Sequence, residues 1–351
     1  MDTTGVFDEA LERLHTTGPE FEGWLTNHGP MAVEALARNG RAAAVHHWLD
    51  VYEDRLDEAP RPAQRITADT WREALGDAKR LGDWPVYFSE RLAEQPWREV
   101  LAEWWPRLLP GLAGGATHVV IRTGHAVRSL LEAEEASGGA VPAPRLAELA
   151  QSLGYWGARY QELPARVRLT GAASPAAALA AVPRVPDQSG GIRPRLAQLT
   201  AAGTPGWVSS VSSPRAPSTP EEARAALTSL VAAATHRYAT HAHGSPVMLV
   251  HAATAPNAVL RTLPALPRDL WVPSYTAAWS ATAAVLAAYG PPSARPAPSV
   301  PASSSFDDLL TRAASHGDEH AIKLVDTALD VGDTAARAAG VQAITLIDPL
   351  L

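Results

Sequence analysis

His316-Gly-Asp-Glu-His320-Ala-Ile-Lys323-Leu-Val-Asp326-Thr-Ala-Leu329 reads as a helix and its start. Asp318 and Glu319 suit a first turn, where negative charge meets the positive end of the helix dipole. Ile322, Leu324, Val325, Ala328 and Leu329 supply the apolar side. His320 and Lys323 are three apart, so both side chains lie on one face. The lysine is unusual for its own chain. Of 30 basic residues only Lys79 and Lys323 are lysines. Arginine stays protonated in proteins, whereas a buried lysine can lose its proton and react. A lysine beside a histidine on an apolar helix is therefore a site candidate. The alternative is a surface lysine one turn from a surface histidine.

Working outward, the same helical grammar recurs. Asn27 to Gly40 has Asn27 as a cap, Pro30 in the first turn and Asn39-Gly40 as a stop. A helix over about 6–18 precedes it, and His46-His47 open the next one. Those two histidines point about 100° apart and are read as packing or surface residues. His28 falls at the positive end of the second helix, which favours a neutral imidazole. A long helix over about 116–136 follows Gly114-Gly115 and closes at Gly138-Gly139. Its His118, Arg122, His125 and Ser129 make one polar stripe. Further helices are expected over 144–160, 219–240 (capped by Thr219-Pro220-Glu221-Glu222) and 269–288.

Apolar residues make up 46% of the 351, with alanine dominant, which suits many helices better than a sheet. The expected architecture is all-α: one multi-helix domain over 1–351, its helices packed around a buried metal pocket. Two interruptions are read into it. One is a Pro/Gly/Ser-rich excursion over about 164–220, with Ala-rich pieces at 175–181 and 195–202, suited to covering a pocket mouth. The other is a low-complexity linker over about 289–305 without chemistry.

The chain contains no cysteine, which excludes disulfides, thiolate ligands and cysteine nucleophiles. A net charge of −7 without a Lys/Arg cluster argues against nucleic acid as a partner. There is no signal-peptide pattern and no membrane-length apolar run, so a cytoplasmic protein is the expectation. No Gly-x-Gly-x-x-Gly follows a strand, so FAD is not expected, and P-loop, Gly-x-Ser-x-Gly and His-Glu-x-x-His motifs are absent. What remains is 12 histidines. His28, His118, His251 and His320 each fall on an apolar helix, and imidazole suits zinc, copper, iron and nickel alike. His125 lies seven residues, about 10 Å of helix axis, beyond His118. It is expected to support the ligands from behind or to face substrate, rather than share an ion with His118. The tryptophans between 69 and 113 are core residues more often than pocket walls.

Five of these segments together resemble the questin oxidase-like family. They are Thr26-Asn-His-Gly-Pro-Met31, His118-Val-Val-Ile-Arg-Thr-Gly-His125, Tyr155-Trp-Gly-Ala-Arg-Tyr-Gln-Glu-Leu-Pro164, Leu249-Val-His-Ala-Ala-Thr254 and His320-Ala-Ile-Lys323. The resemblance implies a mostly α-helical oxidoreductase of secondary metabolism. Such an enzyme uses O₂ for ring cleavage or Baeyer–Villiger-type oxygenation of polycyclic aromatic polyketides such as anthraquinones. It also implies a non-haem iron(II) site, with His28, His118, His251 and His320 as ligands and a modified, carbamylated Lys323 beside them. NADPH enters as an external reductant in the older view of the family. Fungal members carry a histidine where Arg122 stands here. On this reading His125 and Arg122 are catalytic, and Trp104, Trp105, Tyr155 and Trp156 form a stacking wall for a small aromatic substrate. The competing readings are a zinc hydrolase on the same histidines, and a metal-free helical binding protein.

Overall fold

Helix-forming residues punctuated by caps and breakers organise the structure, a computed structural model that describes residues 3–165, 167–301 and 304–351. Residues 1–2, residue 166 of the excursion and residues 302–303 of the linker lie outside the described residues. Seventeen α-helices and one two-stranded antiparallel sheet (Glu20–Phe21 with Leu25–Thr26) are found among the described residues. The all-α expectation holds.

Two compact units emerge. The first comprises Met1–Gln161, with Pro264–Pro267 and Leu351. It holds α1 (Thr3–Leu14), α2 (Gly29–Arg38), α3 (Ala42–Tyr52), α4 (Trp71–Ala74), α5 (Asp83–Glu94), α6 (Trp97–Leu108), α7 (His118–Ser137) and α8 (Ala143–Arg159). Here α8 packs on α5 and α7, and α2 packs on α1, α3 and α7. The second comprises Glu162–Leu263 and Arg268–Leu350. It holds α9 (Pro175–Ala180), α10 (Ile192–Leu196), α11 (Trp207–Val211), α12 (Pro220–His241), α13 (Pro246–Thr262), α14 (Trp271–Tyr289), α15 (Phe306–His316), α16 (Glu319–Val331) and α17 (Thr334–Leu346). There α13 packs on α12, α14 and α16, and α17 packs on α12 and α16. No helix among the described residues is long and apolar enough to cross a membrane.

The caps explain the boundaries. Thr219 accepts from Glu222 N at α12, and Asp318 accepts from His320 N and Ala321 N at α16, each satisfying first-turn amides. At α2 the cap is His28 rather than Asn27. The Asn27 Oδ1 accepts from Gly29 N at 2.9 Å, one residue earlier than a helix cap would act. The excursion is built from the short helices α9, α10 and α11 joined by turns.

Candidate metal and proton-transfer site

In the first unit His28 and His118 are brought face to face. Their ring centroids lie 4.4 Å apart at 30°, and each offers a ring nitrogen within 4.8 Å of the other's. Both are buried. The His28 backbone N donates to the Tyr52 hydroxyl at 2.6 Å, which holds the start of α2 against α3. His118 opens α7 after an unusual turn. Gly115, Ala116 and Thr117 have φ of 52°, 56° and 72°, three consecutive left-handed residues of which two carry a Cβ. Such backbone costs about 1 kcal/mol or more for each non-glycine residue and persists only where the surroundings enforce it. Packing enforces it here. A Cβ on Gly114 would sit 2.1 Å from the Arg159 carbonyl oxygen. The His118 Nδ1 lies 2.6 Å from the Gly115 carbonyl oxygen, to which an Nδ1–H would donate, directing Nε2 away from its own turn.

The stripe on α7 is buried along its length: His118, Arg122, His125 and Ser129 are all below a tenth exposed. The carboxylates that make this tolerable come from other helices. Arg122 donates from Nε and Nη2 to Glu148 of α8 at 2.6 and 2.8 Å, and His15 lies 2.9 Å from the same group. The Arg122 Nη1 is buried with no hydrogen-bond partner among the described residues. His125 Nδ1 lies 2.7 Å from Glu34 Oε2 of α2, and Arg128 Nε donates to the other Glu34 oxygen at 2.8 Å. Burial alone raises the Glu148 carboxyl, but Arg122 and His15 outweigh it and hold it at about 2. Burial likewise opposes ionisation of Glu34, and Arg128 and His125 pull it below the ordinary carboxylate range. Glu34 and Glu148 were not singled out in the sequence. The signal was there: each is a lone acid inside an apolar helical run, Met-Ala-Val-Glu-Ala-Leu and Leu-Ala-Glu-Leu-Ala. Glu34 and Ser129 also line a cavity of about 780 Å³ in this unit, with Arg38, Glu132 and Arg145.

The candidate stacking residues lie in the same unit and are almost wholly buried. Trp104 is met edge-on by Trp71, Trp84, Tyr87 and Phe88, at centroid distances of 4.9–5.7 Å. Trp105 packs edge-on against Trp156 at 5.3 Å. The Tyr155 hydroxyl lies 2.7 Å from Thr26 Oγ1 and donates to Glu20 at 3.1 Å.

In the second unit His251 of α13 and His320 of α16 have ring centroids 5.6 Å apart. His320 follows the cap Asp318, and its Nδ1 lies 3.6 Å from Asp318 Oδ1 and 3.9 Å from Glu319 Oε1. One ligand atom from each of Asp318, Glu319 and His320 falls within 4.8 Å of the others, so carboxylate oxygen is at hand beside the imidazole. Lys323, one turn on, is fully buried, and its Nζ has no hydrogen-bond partner among the described residues. Burial lowers its pKa to about 8 against the opposing charges of Glu319 and Asp318. The neighbouring Asp326 is bound by Arg261 at 2.7 Å.

Donors of these types could hold a transition-metal ion. They are buried imidazoles, with carboxylates beside His320 and a lysine whose pKa burial lowers. No curated protein is matched by the sequence. A family model does match: residues 25–138, which include His28, His118, Arg122 and His125 and end before His251, His320 and Lys323, carry the signature of the questin oxidase-like family.

Proposed function

We propose that this protein is a cytoplasmic oxidoreductase that uses O₂ at a non-haem iron centre. Its substrate would be a polycyclic aromatic polyketide, anthraquinone-like, and the reaction a ring cleavage or Baeyer–Villiger-type oxygenation. The family matched at residues 25–138 suggests an oxygenase acting on polyketide-like substrates. The observation that carries the metal assignment is the pairing of buried histidines, His28 with His118 and His251 with His320. The residues proposed to hold iron are His28 and His118 in the first unit, and His251, His320 and Lys323 in the second. A metal binds the neutral imidazole, so binding would release a proton from any ring that carries one.

Iron(II), when bound, supplies the one-electron chemistry that lets O₂ react with a closed-shell phenol. The chain's own groups do the rest. His125 Nδ1 lies 2.7 Å from the Glu34 carboxylate, which orients the ring and stabilises the imidazolium formed when His125 takes a phenolic proton. Arg122 is fixed by Glu148 and keeps Nη1 for an anionic substrate oxygen. Lys323, neutral or carbamylated, adds no positive charge beside the metal. NADPH serves as an external reductant where the substrate lacks the electrons.

Elemental analysis of protein purified without a His-tag tests this directly. Iron near one per chain supports the reading, and its loss in His28→Ala or in His320→Ala shows which pair holds it. Zinc in its place supports a hydrolase that polarises water on the same ligands. No bound metal would refute both and leave a helical binding protein.

A further inference from the structure

The segment after Tyr289 reads in sequence as a linker, yet its start is pinned. Arg295 N donates to Thr240 O at 2.8 Å, and a Cβ on Gly244 would strike Pro291 Cδ at 2.8 Å. The linker is therefore packed directly on the turn between α12 and α13. Arg184, Gln188, His243, Tyr289, Ser293 and Arg295 surround a groove of about 370 Å³ there, wholly within the second unit.

Its lining has two arginines, a histidine and no acid, in a chain of net charge −7. Arg184 Nε donates to Gly290 O at 2.8 Å, which fixes the stem and leaves both Nη groups to the groove or solvent. The Arg295 guanidinium makes no ion pair among the described residues. The Gln188 Nε2 is a buried donor with no hydrogen-bond partner among the described residues. Arg195 lies 4.4 Å over the Tyr289 ring and adds positive potential behind it. The α13 helix begins just past His243-Gly244, and its cap Ser245 makes no side-chain cap bond. The charged groups around the groove are all positive, and no carboxylate lines it.

We propose that this groove is an anion site that takes a phosphate monoester. Two planar guanidinium forks match phosphate oxygens pairwise, and the buried amide of Gln188 supplies a third direction. The groove volume exceeds that of a bare phosphate, which leaves room for a small organic group on the ester. The site shares no residue with the histidine pairs and stands or falls apart from the metal reading.

Calorimetric titration in phosphate-free buffer, with inorganic phosphate and phenyl phosphate as probes, tests it. Saturable binding that weakens with added salt is expected, with phenyl phosphate at least as tight as inorganic phosphate. Arg184→Gln/Arg295→Gln should lose at least about tenfold in affinity, with at most a small fall in melting temperature from the lost Arg184–Gly290 bond. Arg295→Gln alone breaks no ion pair in the fold and should show part of that loss. Absence of saturable binding up to about 10 mM of either probe overturns the site. So does affinity that survives the double substitution, because the anion then binds elsewhere. Phenyl phosphate binding several-fold weaker than inorganic phosphate overturns the monoester assignment.

Discussion

Glu34 Oε2 lies 2.7 Å from Nδ1 of His125, 91 positions further along the chain, with both side chains buried. A carboxylate behind an imidazole fixes which nitrogen carries the proton and stabilises the imidazolium once it forms. Arg128 binds the same carboxylate, so Glu34 is held even if the histidine is removed.

His125→Ala should therefore keep its metal and lose turnover by about a hundredfold or more, the usual worth of a general acid or base. Iron content and O₂ uptake on one preparation measure both. Loss of the metal in this variant would move His125 into the ligand set.

The buried pair Arg122–Glu148 sets an acid limit. The Glu148 carboxyl is held at about 2 against an ordinary 4.5. A depressed carboxyl stabilises the fold fully above its unfolded pKa, and that contribution is lost as pH falls from about 4.5 towards 2. It is on the order of 3 kcal/mol for this group. Melting temperature should fall steeply below about pH 5. Arg122→Met/Glu148→Met removes both charges and should flatten that limb while staying within about 1–2 kcal/mol of the parent at neutral pH. An unchanged acid limb in the double variant assigns the loss to other groups.

The left-handed turn before His118 invites a paired test. Ala116 and Thr117 carry a Cβ at φ of 56° and 72°, so Ala116→Gly should stabilise by about 1 kcal/mol. Gly114→Ala places a Cβ 2.1 Å from the Arg159 carbonyl oxygen and should destabilise by about 2 kcal/mol or more. It should also loosen metal affinity through His118. Thermal melts rank the two variants against the parent. A neutral Gly114→Ala would mean that the turn is not held by packing.

Local features were legible in the sequence and long-range pairings were not. Thr219 and Asp318 announce α12 and α16 because a cap acts within three residues of itself. The stripe on α7 was legible as periodicity, but its acids are supplied by α2 and α8, a packing outcome that spacing cannot encode. Asp326, three residues past Lys323, is the obvious local partner, yet its carboxylate meets Arg261 of α13, 65 positions away. Glu319 precedes His320 directly, and neighbours in sequence point about 100° apart along a helix. In a helix's first turn the side chain is free to turn back, and its Oε1 lies 3.9 Å from the His320 ring. The linker's role as a groove wall was invisible because it rests on one backbone bond, Arg295 N to Thr240 O.

Lys323 gives the last prediction. Its amine is fully buried and lacks a hydrogen-bond partner among the described residues, and Asp326 is taken by Arg261. A charged ammonium in that position is costly, and burial lowers the pKa to about 8. Burial thereby favours the neutral amine, the form that reacts with CO₂. The amine nitrogen bonds the CO₂ carbon and releases one proton, which leaves an anionic carbamate whose oxygen can serve as a ligand. Lys323→Ala and Lys323→Arg should both lose iron and O₂ uptake, the arginine variant because its guanidinium keeps its charge. Added formate or acetate should partly restore Lys323→Ala by filling the gap with a carboxylate, and should not restore Lys323→Arg. If Lys323→Arg retains iron and full turnover, the lysine acts only as a charge and the ligand role fails.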